Sequence, residues 1–385
     1  MPDRPTRLDS SRDVVVTGIA LRSALGDLES TWTRLLAGET ALRSRSLFAE
    51  IPARPLALVD KMPISVLDLL DRVLADLNDS LDATFDGQSC GISIGSSRSM
   101  QRAWEDWLQT QSLEARLPWL MTLPHTPALH VAKSIGSRAA VFAPMAACAT
   151  GLWSIARGFL AIRDETCDRV VTGSVEAPIS PLTIATFDRM GALSPDACRP
   201  FDRARSGMAL GEGAALLLLE ARSAAERGGA KILGRLAGAA MTADAHHISA
   251  PDPDISAARM AIEQCLSRSG WTAESVDYIH LHGTGTRLND RREAELVQAL
   301  FPQGVAVSST KGATGHTVGA SGAIGAALCL RAIGAQVVPP CVGTQDLEFE
   351  LDLVREARSQ RVARTLCFSF GFGGQNVVLA LERGG

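Results

Sequence analysis

An α/β fold built on a covered, mainly parallel sheet is what this sequence predicts, and two observations predict it. Short apolar runs of β type alternate with helical stretches along almost the whole chain, the pattern of strands buried on both faces. Gly (34 of 385 residues) and other small residues are plentiful while Tyr occurs once, which suits close packing of helices on a sheet. With 46% hydrophobic and 21% charged residues, the chain can bury a large core.

The elements follow in order. DVVVTGIA, from Asp13, reads as a buried strand ending in a Gly turn, and LESTWTRLLA over 28–37 continues with helical spacing. Further strands are predicted at Cys90–Gly95, Ala139–Ala143, Arg169–Thr172, Ala214–Leu219, Asp277–Leu281, Val305–Ser308, Thr365–Ser369 and Val377–Leu381, with helices between most of them. No Pro/Ser-rich linker or charge block divides the chain. Two intimately packed halves are therefore expected, 1–228 and 229–385, with the boundary falling in 223–231. The halves echo one another, since a strand-like segment from Val141 leads to ACATGLWSIARGFLAI and one from Val305 leads to GHTVGASGAIGAALCLRAIG.

A net charge of −4 and a pI near 6.0 give no overall attraction to nucleic acid or anionic lipid. Residues 1–13 carry no apolar segment of the secretory kind, and the run Gly319–Leu330 is too short to span a bilayer, so a cytoplasmic protein is expected. The eight cysteines are scattered, with no CxxC pair and no zinc-like Cys/His spacing; each starts as a small buried hydrophobe and a metal is not expected.

Four motifs stand above that background. In AACATG, Cys148 lies between an apolar strand and a helix, where unpaired N–H groups and the helix dipole would lower its pKa; the competing reading is a packing cysteine. In IHLHGTGTRLND, His282 ends a strand and borders a Gly/Thr turn, whereas His280 reads as a core or supporting residue. In SSTKGATGHTVGASG, Lys311 and His316 sit at the mouth of a helix whose glycines serve tight helix packing. FSFGFGGQN joins two β segments through Gly371, Gly373 and Gly374, either as a plain hairpin or as a turn that moves aside for substrate. The glycine clusters contain neither a first-strand GxGxxG nor a P-loop, so no nucleotide or other cofactor is expected.

Taken with VVVTGIALRSALG, VVTGSVEA and CRPFDRARSGMALGEGAALLLLE, these motifs run nearly end to end in an order that resembles the β-ketoacyl-acyl-carrier-protein synthases of the thiolase superfamily. The resemblance implies a five-layered α-β-α-β-α body from two similar halves, in a homodimer or a heterodimer that takes substrates from an acyl carrier protein. It implies that Cys148 accepts the acyl group, that His282 and His316 are the pair of the decarboxylating branch, and that Lys311 is the active-site lysine. Phe372 matches the gating phenylalanine between Gly371 and Gly373. Thr284 and Thr286 match threonines that bind the phosphopantetheine arm, and Glu212 matches a residue that orders the site. It further implies an oxyanion held by backbone N–H groups of Cys148 and Phe372, and docking cations for which Arg203, Arg205 and Arg287 are candidates.

Some positions depart from the family pattern: Arg287 where proline is common, Gln375 for threonine, and Trp153 in the nucleophile's helix. Trp104, Trp107 and Trp119 fall where relatives build the dimer contact and distal acyl pocket, although such a cluster reads first as core. These point to a specialised synthase. A non-catalytic partner of the chain-length-factor kind is the rival reading, which the intact Cys148, His282 and His316 disfavour. A thiolase would need a second cysteine nearer the C-terminus than Cys367, and a synthase of the III kind an asparagine at 316.

Overall fold

The computed structural model describes residues 13–81, 86–110 and 119–384, so most of the polar opening segment lies outside the described residues. The first half supplies strands β1 (Val14–Ser23), β2 (Arg43–Arg45), β3 (Arg54–Ala57), β4 (Gly91–Gly95), β5 (Val141–Phe142), β6 (Arg169–Glu176), β7 (Leu210–Gly211) and β8 (Gly213–Ala221). Its helices are α1 (Leu28–Leu36), α2 (Val66–Asp79), α3 (Gln101–Thr110), α4 (Thr126–Ile135), α5 (Thr150–Arg163), α6 (Pro181–Arg189) and α7 (Arg222–Arg227). The second half adds β9 (Gly234–Ala243), β10 (Tyr278–His280), β11 (Ala306–Ser308), β12 (Val337–Val338), β13 (Asp352–Leu353), β14 (Arg358–Ser359), β15 (Arg364–Gly371) and β16 (Gln375–Glu382). Its helices are α8 (Ser256–Ser269), α9 (Arg287–Leu300), α10 (Lys311–Thr314) and α11 (Ser321–Ala335).

Eleven strands form one sheet in the order β13-β11-β10-β15-β16-β9-β1-β8-β6-β4-β5. Only its two ends are parallel; from β15 through to β6 every neighbouring pair is antiparallel. The expected mainly parallel sheet is thus corrected to a mixed one. Its centre is built by a tight hairpin and by chain reversals, which need no crossover helix. The halves meet where Val14–Val16 of β1 pair with Gly234–Leu236 of β9.

Alternating burial along the strands produces five layers. On β8, Leu217 and Leu219 face a core that also holds α5 and α11, while Leu216 and Leu218 face α2 and α4. On β16, Val377, Leu379 and Leu381 face that same central core, and Val378 and Ala380 face α8 and α9. The order is therefore α2/α4, one arm of the sheet, α5/α11, the other arm of the same sheet, α8/α9, the thiolase-like architecture, with α5 and α11 buried in the middle. Their contact requires glycine: a Cβ on Gly151 would stand 2.6 Å from the Ala323 nitrogen, and one on Gly322 2.7 Å from Leu152 Cγ. From Val318, the segment ending in α11 reaches 18 residues of mean hydropathy 1.5, longer than the sequence reading allowed, and 83% of it is buried between the sheets.

The tryptophans differ from the core reading. Trp104 and Trp107 meet edge to face, centroids 6.1 Å apart, but Trp104 is 40% exposed and Trp119 62%, and Leu108, Leu120 and Met121 are exposed near them in the chain.

Candidate active site

Cys148 lies two residues before the first turn of α5, in a sharp bend where Ala147 takes φ 48°. Thr150 fixes the bend by accepting from the Ala146 N–H (2.9 Å) and donating to the Ala147 carbonyl (2.7 Å), and Ser369 of β15 donates to the Cys148 carbonyl (3.0 Å). Gly371 packs directly on this bend; a Cβ there would sit 2.8 Å from the Ala146 carbonyl oxygen and 3.1 Å from the Cys148 nitrogen. Only glycine lets the hairpin reach the nucleophile.

The thiol is buried, 5% exposed, and burial pushes its pKa up to about 11. Lys311, the Phe372 N–H and Arg98 act in the opposite direction without overcoming it. The thiolate expected from the helix mouth is therefore corrected: desolvation outweighs the helix end, because Cys148 stands outside the helix and away from water.

His282 and His316 close over the thiol from the second half, ring centroids 5.4 Å apart and nearly perpendicular, at 82°. The Cys148 Sγ and a ring nitrogen of each lie within 4.8 Å of one another, close enough for the trio to form a soft-metal donor set. His316 Nδ1 meets Ser321 Oγ at 2.8 Å, and the Lys311 ammonium donates to the His282 carbonyl, 3.5 Å from His282 Nδ1. With Nδ1 so occupied in each ring, both Nε2 atoms can carry protons into the site. Burial, then the Lys311 charge, holds both imidazoles well below the ordinary value, so they are neutral.

The turn after β10 is held from behind by two carboxylates that sequence reasoning missed. Glu293 accepts from the His282 and Gly283 N–H groups, and Asp290 from those of Thr284 (3.0 Å), Gly285 (3.2 Å) and Phe201 (2.7 Å). Their spacing on α9 was the available signal, since i and i+3 share a helix face. Burial raises Glu293 to about 7 and lowers Lys311, and the Glu293 charge only partly offsets that effect on the ammonium.

A cavity of about 590 Å³ opens above the thiol, lined by Cys148, His282, His316, Thr284, Thr286 and Phe372 among others. The Thr284 and Thr286 hydroxyls meet at 2.9 Å. Phe372 lies half-buried with its ring 6.1 Å from Phe187 of α6, Gly371 precedes it, and Gly373 follows at φ +77° with its N–H on the Ile248 carbonyl (2.9 Å). Glu212 stays outside the cavity: fully buried, it accepts from the Val59 (3.1 Å) and Ile64 (3.0 Å) N–H groups and anchors that loop. His280 packs against Gly325 of α11, pulled down to about 3 by burial. Of the docking candidates, Arg203 and Arg287 are exposed, but Arg205 is 2% exposed, paired with Glu348 and Asp290; that assignment is corrected, because its charge is spent inside the protein.

Comparison with known proteins agrees with this geometry. The sequence matches the family models for the β-ketoacyl synthase N-terminal domain over residues 45–225 and the C-terminal domain over 233–345. The chain belongs to the β-ketoacyl synthase family. It is 33% identical to 3-oxoacyl-[acyl-carrier-protein] synthase 2 of Mycobacterium tuberculosis, across 96% of this chain and 97% of that one. It is 35% identical to the ketoacyl synthase alpha subunit of the tetracenomycin polyketide synthase of Streptomyces glaucescens, across 97% and 98%. Among solved structures, a type II polyketide ketosynthase in complex with its acyl-carrier protein superposes with a TM-score of 0.90 at 25% identity, covering 97% of this chain and all of that one. This β-ketoacyl synthase is accordingly a condensing acyltransferase of fatty-acid or polyketide biosynthesis.

Proposed function

We propose that the synthase joins an acyl group held on Cys148 to the two-carbon unit left by decarboxylation of a malonyl thioester. The convergence of the Cys148 thiol with two neutral imidazoles at the end of a threonine-lined cavity carries this reading. In the first half-reaction Cys148 Sγ attacks the incoming acyl thioester, and the departing pantetheine sulfur takes the proton the thiol gives up. The tetrahedral oxygen is received by the backbone N–H of Phe372, which already faces the sulfur, and by that of Cys148. In the second, the malonyl carboxylate leaves as carbon dioxide while the His282 and His316 Nε2–H groups stabilise the enolate oxygen. The enolate carbon then bonds to the acyl carbon, the C–S bond breaks, and Cys148 leaves as thiolate and is reprotonated.

Lys311 positions His282 through its carbonyl and keeps both rings neutral, the form that donates without carrying charge. Thr284 and Thr286 receive the pantetheine arm, and Phe372 swings with its glycine-flanked turn to admit the acyl chain. Donors would come on an acyl carrier protein whose acidic face meets Arg203 and Arg287. The scheme uses no metal and no cofactor, and it places the chain in a dimer, with itself or with a related subunit. A non-catalytic role is disfavoured because every group the two half-reactions need is present.

The test separates the half-reactions. Wild type should gain one acyl mass from acyl-carrier thioesters and Cys148→Ala none. His316→Ala should still acylate while condensing about 10²–10³-fold more slowly, the usual effect of losing one such donor. An acyl adduct that survives Cys148→Ala would overturn the assignment.

A further inference from the structure

We infer that Thr317 and Ser321 form a one-way pair of hydroxyls that holds His316 in the tautomer with its proton on Nε2, and so act as positioning residues for the decarboxylating step. The catalytic part of the inference rests on the donor role proposed above for His316; the hydroxyl pair itself stands apart from it.

The backbone of His316 is pinned from the first half of the chain. Its N–H donates to the Ala209 carbonyl (2.6 Å), and its carbonyl accepts from the Gly211 N–H (3.0 Å). Only the side-chain torsions of this buried ring stay open, and among the described residues Nδ1 has one hydrogen-bond partner, Ser321 Oγ at 2.8 Å. Ser321 begins α11, five residues further on, so the chain must double back to bring it there. It does so in a single 3₁₀ turn, Val318–Ala320, entered with the buried Val318 at φ 40°. That left-handed conformation is costly for a β-branched residue and persists only where the surroundings impose it. Here the fully buried Glu176 accepts from the Gly319 N–H (3.1 Å), and the Ser174 hydroxyl donates to the Gly319 carbonyl (3.1 Å). The same reversal places Thr317 Oγ1 3.1 Å from Ser321 Oγ.

Counting hydrogens fixes the direction of these contacts. Thr317 is 1% exposed, and among the described residues its hydroxyl has Ser321 as its only partner. If Thr317 accepted from Ser321, its own hydrogen would be a buried donor with nothing to meet. Thr317 therefore donates to Ser321, and the Ser321 hydrogen is left for His316 Nδ1. A ring nitrogen that accepts carries no proton, so the single proton of the neutral imidazole sits on Nε2. In the opposite direction Nδ1–H would donate to Ser321, and Nε2 would turn a lone pair towards the enolate oxygen it has to stabilise. His282 reaches the same tautomer by another route, with the Lys311 ammonium 3.5 Å from its Nδ1.

The experiment labels histidine at both ring nitrogens in the full chain and reads the tautomer by NMR, with His316 assigned through the signal lost in His316→Gln. Wild type should show His316 protonated at Nε2, and Ser321→Ala should shift it to a mixture. The rate at which acyl-Cys148 condenses with a malonyl carrier thioester is then compared with the rate of acylation in the same protein. Ser321→Ala should lower that ratio about tenfold and Thr317→Val by a smaller factor, while Thr317→Ser, which keeps the hydroxyl, should restore it. In the Ser321→Ala background Thr317→Val should have no further effect, because the hydroxyl it removes then has nothing to direct. Protonation at Nδ1 in wild type overturns the inference, as does an Nε2–H signal that Ser321→Ala leaves unchanged. An equal effect of Thr317→Val with and without Ser321 overturns it too, since a merely structural role would persist. If wild type takes up no acyl group, the condensing reading has failed, and the ring-nitrogen signals still decide whether the hydroxyl pair sets the tautomer.

Discussion

At Cys148 two opposing effects can be weighed. Burial, with a smaller push from the Glu176 charge, favours the thiol, and the cations and one N–H that oppose it leave the pKa at about 11, so little thiolate stands ready at neutral pH. Alkylation by iodoacetamide, followed by mass, should therefore rise about tenfold per pH unit between roughly pH 7 and 10. Because Lys311 is the largest influence lowering that pKa, Lys311→Met should react more slowly at each pH. A rate already level below about pH 9 would mean that the helix end governs after all. The residues that sequence reading gathered from four distant motifs, Cys148, His282, His316, Lys311 and Phe372, do come together here. Glu293 and Asp290 went unnoticed although their i, i+3 spacing on α9 was a signal, and Ser321 because it acts on the inward-turned Nδ1 of His316, which no local pattern reveals.

Among the elements, the pair α5 and α11 shapes the site, since α5 begins two residues after Cys148, α11 begins five after His316, and both are buried between the arms of the sheet. Their spacing depends on Gly322 opposite Leu152. Gly322→Ala should destabilise by about 1–3 kcal/mol through overpacking. Leu152→Ala should cost about 2–5 kcal/mol through the cavity it leaves. In chemical unfolding the double variant should cost measurably less than the sum, because the methyl added at one position occupies space vacated at the other. Strict additivity would show that the helices do not meet there. The glycines of α11 were readable as packing residues, and the strands predicted from apolar runs all formed. β9 was not readable: GRLAGAAMTA has too little β character of its own, and it is a strand because β16 lies along it on one side and β1 on the other.

For the molecule as a whole, several large apolar side chains stand exposed. β5 ends the sheet with Val141 37% exposed, and Trp104, Leu108, Trp119, Leu120 and Met121 are also exposed, side chains of the kind a second subunit could cover. Light scattering should report a dimer at micromolar concentration, and Val141→Lys combined with Trp119→Glu should shift it towards monomer. A wild-type monomer would instead point to a different subunit as the partner. The sequence by itself determined the alternation of elements and the turns that bring Cys148, His282, His316 and Phe372 to one cavity, because apolar periodicity and glycine-rich turns are local properties. Tertiary structure alone decided the mixed strand order, the upward shift of the Cys148 pKa and the burial of Arg205. Each of those depends on what surrounds a group from distant parts of the chain, and desolvation and pairing are set only when those parts meet.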